Sequence, residues 1–155
     1  MLTAEVKQAL TPATTGITLI ITVGNTLRSD DGVGPYIAEG CSRLKAGLAL
    51  LDVGDKPENG IDQAVNSKAS KVVFIDAADF GGHVGEARLV PKEQIPQTSL
   101  STHTFPLPVI AKMIEEDAKA KVLFLGIQPA KVELGEGLNK KVRATGDEII
   151  ALLKE

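Results

Sequence analysis

The sequence predicts an α/β fold, a three-layer αβα sandwich built on a mostly parallel, twisted sheet with one antiparallel edge strand. Three observations predict it. Short continuous runs of apolar and β-branched residues, above all at 17–23 and 71–75, read as strands buried on both faces. Segments with apolar residues every three or four positions alternate with those runs, as parallel neighbours joined by crossover helices require. Glycine or proline stands where several of these segments have to begin or stop.

Taken in order, residues 17–23 (Ile-Thr-Leu-Ile-Ile-Thr-Val) form the first central strand and are stopped by Gly24. A helix is predicted over 31–46, with Val33, Ile37, Cys41 and Leu44 on its apolar face and Gly47 as its C-cap. Residues 48–53 give the next strand. Pro57 opens a shorter helix to about Asn66, and 71–75 give a third strand ending at Asp76. Residues 86–90 alternate weakly, as an edge strand does. Pro106 begins a helix running to about Lys119, residues 122–127 form a strand, and 139–154 form a terminal helix with Val142, Ile149, Ile150 and Leu153 inward.

A length of 155 residues fits one domain, with residues 1–16 read as an N-terminal appendage. Seventeen Lys and Arg against 20 Asp and Glu give a net charge of −3, which offers no general attraction for nucleic acid or anionic lipid. One cysteine, Cys41, cannot form an internal disulfide, and this fits a reducing, cytoplasmic setting. The N-terminal residues lack the pattern of a secretory signal, and the strongest apolar run is too short to cross a bilayer. No membrane insertion is expected, and a monomer satisfies this reading.

In open α/β sheets ligands bind beyond the carboxyl ends of the strands. Here those positions are acidic. The first strand runs into Gly24-Asn25-Thr26-Leu27-Arg28-Ser29-Asp30-Asp31-Gly32-Val33-Gly34, the second ends at Asp52 ahead of Pro57-Glu58-Asn59, and the third runs into Asp76-Ala77-Ala78-Asp79. A glycine-rich turn after a first strand invites a nucleotide reading. The two carboxylates oppose it, since a phosphate about 4 Å from one of them costs on the order of 4 kcal/mol at an effective dielectric of 20, and the glycine spacing is wrong for the dinucleotide motif. The same acids suit a cation. Asp31, Asp76 and His103 offer two oxygens and an imidazole nitrogen, a set that zinc or nickel accepts. Taken singly, each has an ordinary structural explanation: helix capping for Asp30 or Asp31, a backbone turn for Asp76, a plain loop position for His103.

Together the pieces Gly24-Asn25-x-Leu27-x-x-Asp30-Asp31-Gly32-x-Gly34, Pro57-Glu58-Asn59, Asp76-Ala77-x-Asp79, Thr102-His103 and Gly126-Ile127-Gln128-Pro129 resemble the NiFe hydrogenase maturation endopeptidases, over residues 17–153. The Pro-Glu-Asn and Gly-Ile-Gln-Pro segments look most like the branch serving formate hydrogenlyase-type hydrogenases. The resemblance implies one endoproteolytic cut that removes a C-terminal extension from the hydrogenase large-subunit precursor after nickel insertion. It carries the metal-engaging, catalytic trio over to Asp31, Asp76 and His103, with Asp30 left to cap or orient; some relatives have Glu where this chain has Asp31. The metal is then most simply the nickel brought by the precursor, for which zinc or a similar ion can stand in. Catalysis is expected to be of aspartic or metal-assisted type, because Cys41 falls on an apolar face and no serine has a histidine nearby by pattern. Asp52, Glu58, Asn59, Asp79 and Gln128 are nominated to shape the substrate groove. A noncatalytic metal- or nucleotide-binding module of the same architecture is the alternative.

Overall fold

A computed structural model describes residues 1–98 and 106–155. Among them, five strands form one sheet: β1 (Ile17–Thr22), β2 (Leu48–Asp52), β3 (Ala69–Ala77), β4 (Ala87–Leu89) and β5 (Lys121–Ile127), in the order β2-β1-β3-β5-β4. The β1–β2, β1–β3 and β3–β5 pairs are parallel, and only β4 runs antiparallel, against β5. The predicted sandwich and its antiparallel edge are therefore present.

Helices α1 (Ala4–Leu10), α2 (Val33–Gly40) and α6 (Lys140–Leu153) cover one face; α3 (Ile61–Asn66), the short α4 (Ile95–Thr98) and α5 (Leu107–Ala118) cover the other. The period of two explains how one strand serves both cores. On β3, Val73 and Ile75 join the α2/α6 side, whereas Val72 and Phe74 join the α3/α5 side, and all four have no exposed surface. Phe74 lies opposite Phe124 on β5, and their rings stack with centroids 5.4 Å apart. Such a pair adds about 0.5–1.5 kcal/mol beyond the burial itself.

Two stretches differ from the sequence reading. The helix expected over 31–46 is a tight turn at Ser29–Gly32 followed by α2, which stops at Gly40. A Cβ on Gly40 would come within 2.4 Å of Ile150 Cδ1, so α2 and α6 nearly touch there. Beyond it the chain pairs with the end of α6, Lys45 N–H donating to Leu153 O at 2.9 Å and Glu155 N–H to Arg43 O at 3.0 Å. Those tertiary bonds win over helical spacing; Cys41 still packs in the core. Residues 1–16, read as an appendage, contain α1, whose Val6 and Leu10, with Leu2 just ahead of the helix, are buried against the α6 side. Lys71 Nζ holds the end of α1 by donating to Thr11 O at 2.8 Å. The spacing of four between those apolar residues was the available signal.

The chain leaves β1 toward β2 on one side and returns to β3 on the other, so the winding reverses between β1 and β3. At such a switch point the connections part and leave a crevice above the carboxyl ends of the two strands.

Candidate active site

Asp76 is the penultimate residue of β3, opposite Gly126 of β5, and is 7% exposed. Its side chain lines a small, largely apolar cavity with Phe74, Val90, Ile95, Leu107 and Phe124. Asp31 comes from the β1 side of the switch point. It sits in the Ser29–Gly32 turn, which packs against β3, and is 2% exposed. Asn25 N–H donates to its Oδ2 at 3.1 Å and to its backbone oxygen at 3.2 Å. Two glycines make this turn possible. A Cβ on Gly24 would lie 2.0 Å from Asp31 O, and one on Gly34 would lie 2.3 Å from Val23 O, so only glycine lets the loop close down on the strand.

Asp30 has a different job. Its Oδ2 accepts from the Ala130 and Lys131 N–H groups at 2.7 and 3.2 Å, and Oδ1 accepts from Asn139 N–H at 2.7 Å. Asn139 is in turn the N-cap of α6, its Oδ1 accepting from Lys141 N–H at 2.8 Å. One buried carboxylate thus binds the β1 exit loop to the segment after β5. Ser29 reinforces this with φ of +52°, an uncommon conformation for a residue with a Cβ, while its Oγ donates to Glu133 O and its N–H to Gly135 O. The sequence did not nominate Ser29, and its only signal is position beside the acidic pair. Arg28 donates from Nε to Val132 O at 3.3 Å.

The remaining nominees fall at the same end of the sheet. Asp52 is exposed and accepts from Thr22 Oγ1 at 2.9 Å. Glu58 and Asn59 lie in the Pro57–Gly60 turn; Asn59 is exposed, and Glu58 is half-buried. Gln128 is buried and acts as a clamp: Oε1 accepts from the Phe80 and Gly82 N–H groups at 3.0 and 3.1 Å, and Nε2 donates to Asp79 Oδ1 at 3.0 Å. That bond, with a second from Gly81 N–H, holds the exposed Asp79 carboxyl below the usual carboxylate range. Gln128 spends its side chain on the loop after β3. Thr102 and His103 lie outside the described residues. Among the described residues, no three His, Cys, Asp or Glu side chains form a group able to hold a metal, and the structure brings Asp31 and Asp76 to one sheet end.

The doubly wound sheet is a fold this chain shares with endopeptidases of known structure. It superposes on a NiFe hydrogenase maturation protease, HycI from Thermococcus kodakarensis, with a TM-score of 0.81 and 26% identity over 96% of each chain. The solution structure of an endopeptidase HycI from Escherichia coli gives a TM-score of 0.77 and 29% identity over 87% of each. The HycI family model, hydrogenase maturation protease, matches residues 35–155, and the chain belongs to that family. Over 113 residues it is 34% identical to the hydrogenase 3 maturation protease of Escherichia coli K12, covering 72% of either chain. Asp76, His103 and Gln128 fall within the family match, and Asp31 lies just before it.

Proposed function

We propose that this peptidase removes the C-terminal extension of a NiFe hydrogenase large-subunit precursor once nickel is in place. Asp31, Asp76 and His103 engage that nickel, which arrives as part of the substrate. The observation that carries the reading is the burial of two carboxylates, Asp31 and Asp76, at the carboxyl ends of the adjacent strands β1 and β3. Burying a charge with a loss of hydration is costly, and an approaching cation offsets that cost. A precursor without nickel presents no cation to offset that cost, so processing waits for the metal.

Hydrolysis of the scissile peptide consumes one water. Its oxygen adds to the carbonyl carbon, polarised by the nearby cation, while a carboxylate of the site takes one proton; the C–N bond then breaks as that proton passes to the leaving nitrogen. The adjacent positions of the acids let one side chain hold the metal end of the substrate while another handles the proton. Catalysis of this kind needs no thiol or hydroxyl nucleophile. Cys41 is unsuited to that role, since burial pushes its thiol up from the ordinary value and keeps it protonated.

Incubation with nickel-loaded and nickel-free precursor, read by mass spectrometry, tests the proposal. Loss of one defined C-terminal peptide from the loaded form alone is expected. Asp76→Asn should lower the rate by at least a hundredfold without loss of fold, about the low end of what a positioned acid–base group contributes. A fully active Asp76→Asn enzyme refutes the assignment.

A further inference from the structure

We propose that Glu58 positions the precursor by accepting, at its buried Oε1, a hydrogen bond from an N–H donor of the incoming peptide. The inference rests on the function proposed above and adds a specificity-determining contact to it. Oε1 of Glu58 is buried and has no hydrogen-bond partner among the described residues. A carboxylate oxygen in that condition has lost water and received nothing, a standing cost to the free fold.

The neighbouring acceptors do not share this condition. Asp30 is consumed by three backbone N–H groups, Asp52 by Thr22 Oγ1, and Asp79 by Gln128 and Gly81. Of these four side chains, Glu58 alone has a buried oxygen that accepts no internal hydrogen bond, and its surroundings hold it in place. Pro57 is buried, and Gly60 lies so close to β1 that a Cβ there would stand 3.0 Å from Ile21 Cδ1.

Segments next to the turn reach both halves of the acidic site. Gly54, just ahead of it, accepts from Gly24 N–H at 2.8 Å, and Gly24 leads directly to the Asn25 that donates to Asp31. On its other side the turn packs against α5, whose Leu107 lines the Asp76 cavity. A peptide led across the strand ends toward Asp31 and Asp76 passes this turn. A carboxylate oxygen accepts, and the donor that every residue of a peptide but proline offers it is a backbone N–H.

Kinetics on nickel-loaded precursor with Glu58→Met and Glu58→Gln test this. Glu58→Met should raise KM about tenfold, the loss of roughly one hydrogen bond, with kcat within twofold and the same peptide released. Glu58→Gln retains an acceptor oxygen and should restore KM to within about threefold of wild type. The free Glu58→Met protein should melt at or above the wild-type temperature, because the unsatisfied oxygen is gone. An unchanged KM in Glu58→Met, a Gln variant as impaired as Met, or a drop of several degrees in Glu58→Met melting overturns the inference. If the wild-type protein leaves the precursor uncut, the functional reading fails instead; the melting comparison and direct binding of uncut precursor by wild type and Glu58→Met still decide the role of Glu58.

Discussion

Replacing Asp30 with alanine separates the two adjacent acids of the β1 exit loop, one built into the fold and one proposed to engage the substrate's metal. Asp30 accepts three backbone N–H bonds at 2.7, 3.2 and 2.7 Å and is 1% exposed. Bonds to a charged group contribute about 1.5–3 kcal/mol each, so three set an upper range of about 5–9 kcal/mol. The donors belong to Ala130, Lys131 and Asn139, all exposed residues, and water recovers part of that once the carboxylate is gone. The net loss expected for Asp30→Ala is therefore about 3–5 kcal/mol. For a chain of this length that lowers the melting temperature by about 6–20 °C. Urea unfolding at neutral pH, with thermal melts in parallel, measures it. A loss under about 1 kcal/mol, or loss of processing with stability intact, refutes the clamp and moves Asp30 into the catalytic group.

Two further outcomes follow from other parts of the fold. Leu10→Ala removes a fully buried side chain from α1 and should cost about 2–5 kcal/mol in urea unfolding; unchanged stability would return residues 1–16 to the status of an appendage. The Asp79 carboxyl titrates lower in the folded chain than unfolded, chiefly because Gln128 donates to it, so its charged form stabilises the fold above the unfolded value. That contribution is lost as pH falls through the folded value, and the stability gap between wild type and Asp79→Asn should close between about pH 5 and pH 2. A gap constant across that range would show that the Gln128–Asp79 bond is indifferent to charge.

Much of the site was legible because backbone geometry leaves marks in the chain. Gly24 and Gly34 stand where any side chain would strike Asp31 O or Val23 O, and the paired acids between them mark the exit of a strand with no exposed surface beyond its first residue. Gln128 was legible as a position but not as a clamp, since its three partners come from a loop 46 to 49 residues earlier. Periodicity overran α2 for a similar reason: the bonds that end it come from α6, more than 100 residues away.

By itself the sequence determined the α/β architecture and which acids follow which strand, because strand burial and turn chemistry are local and recur with fixed periods. Tertiary structure alone decided the division of labour among those acids. Adjacent Asp30 and Asp31 have identical chemistry, and only the chain segments that fold back on them make one a clamp for α6 and set the other in the β1 half of the crevice opposite Asp76. The same holds for Glu58, whose buried Oε1 is seen to lack a hydrogen-bond partner only once the chain is folded around it.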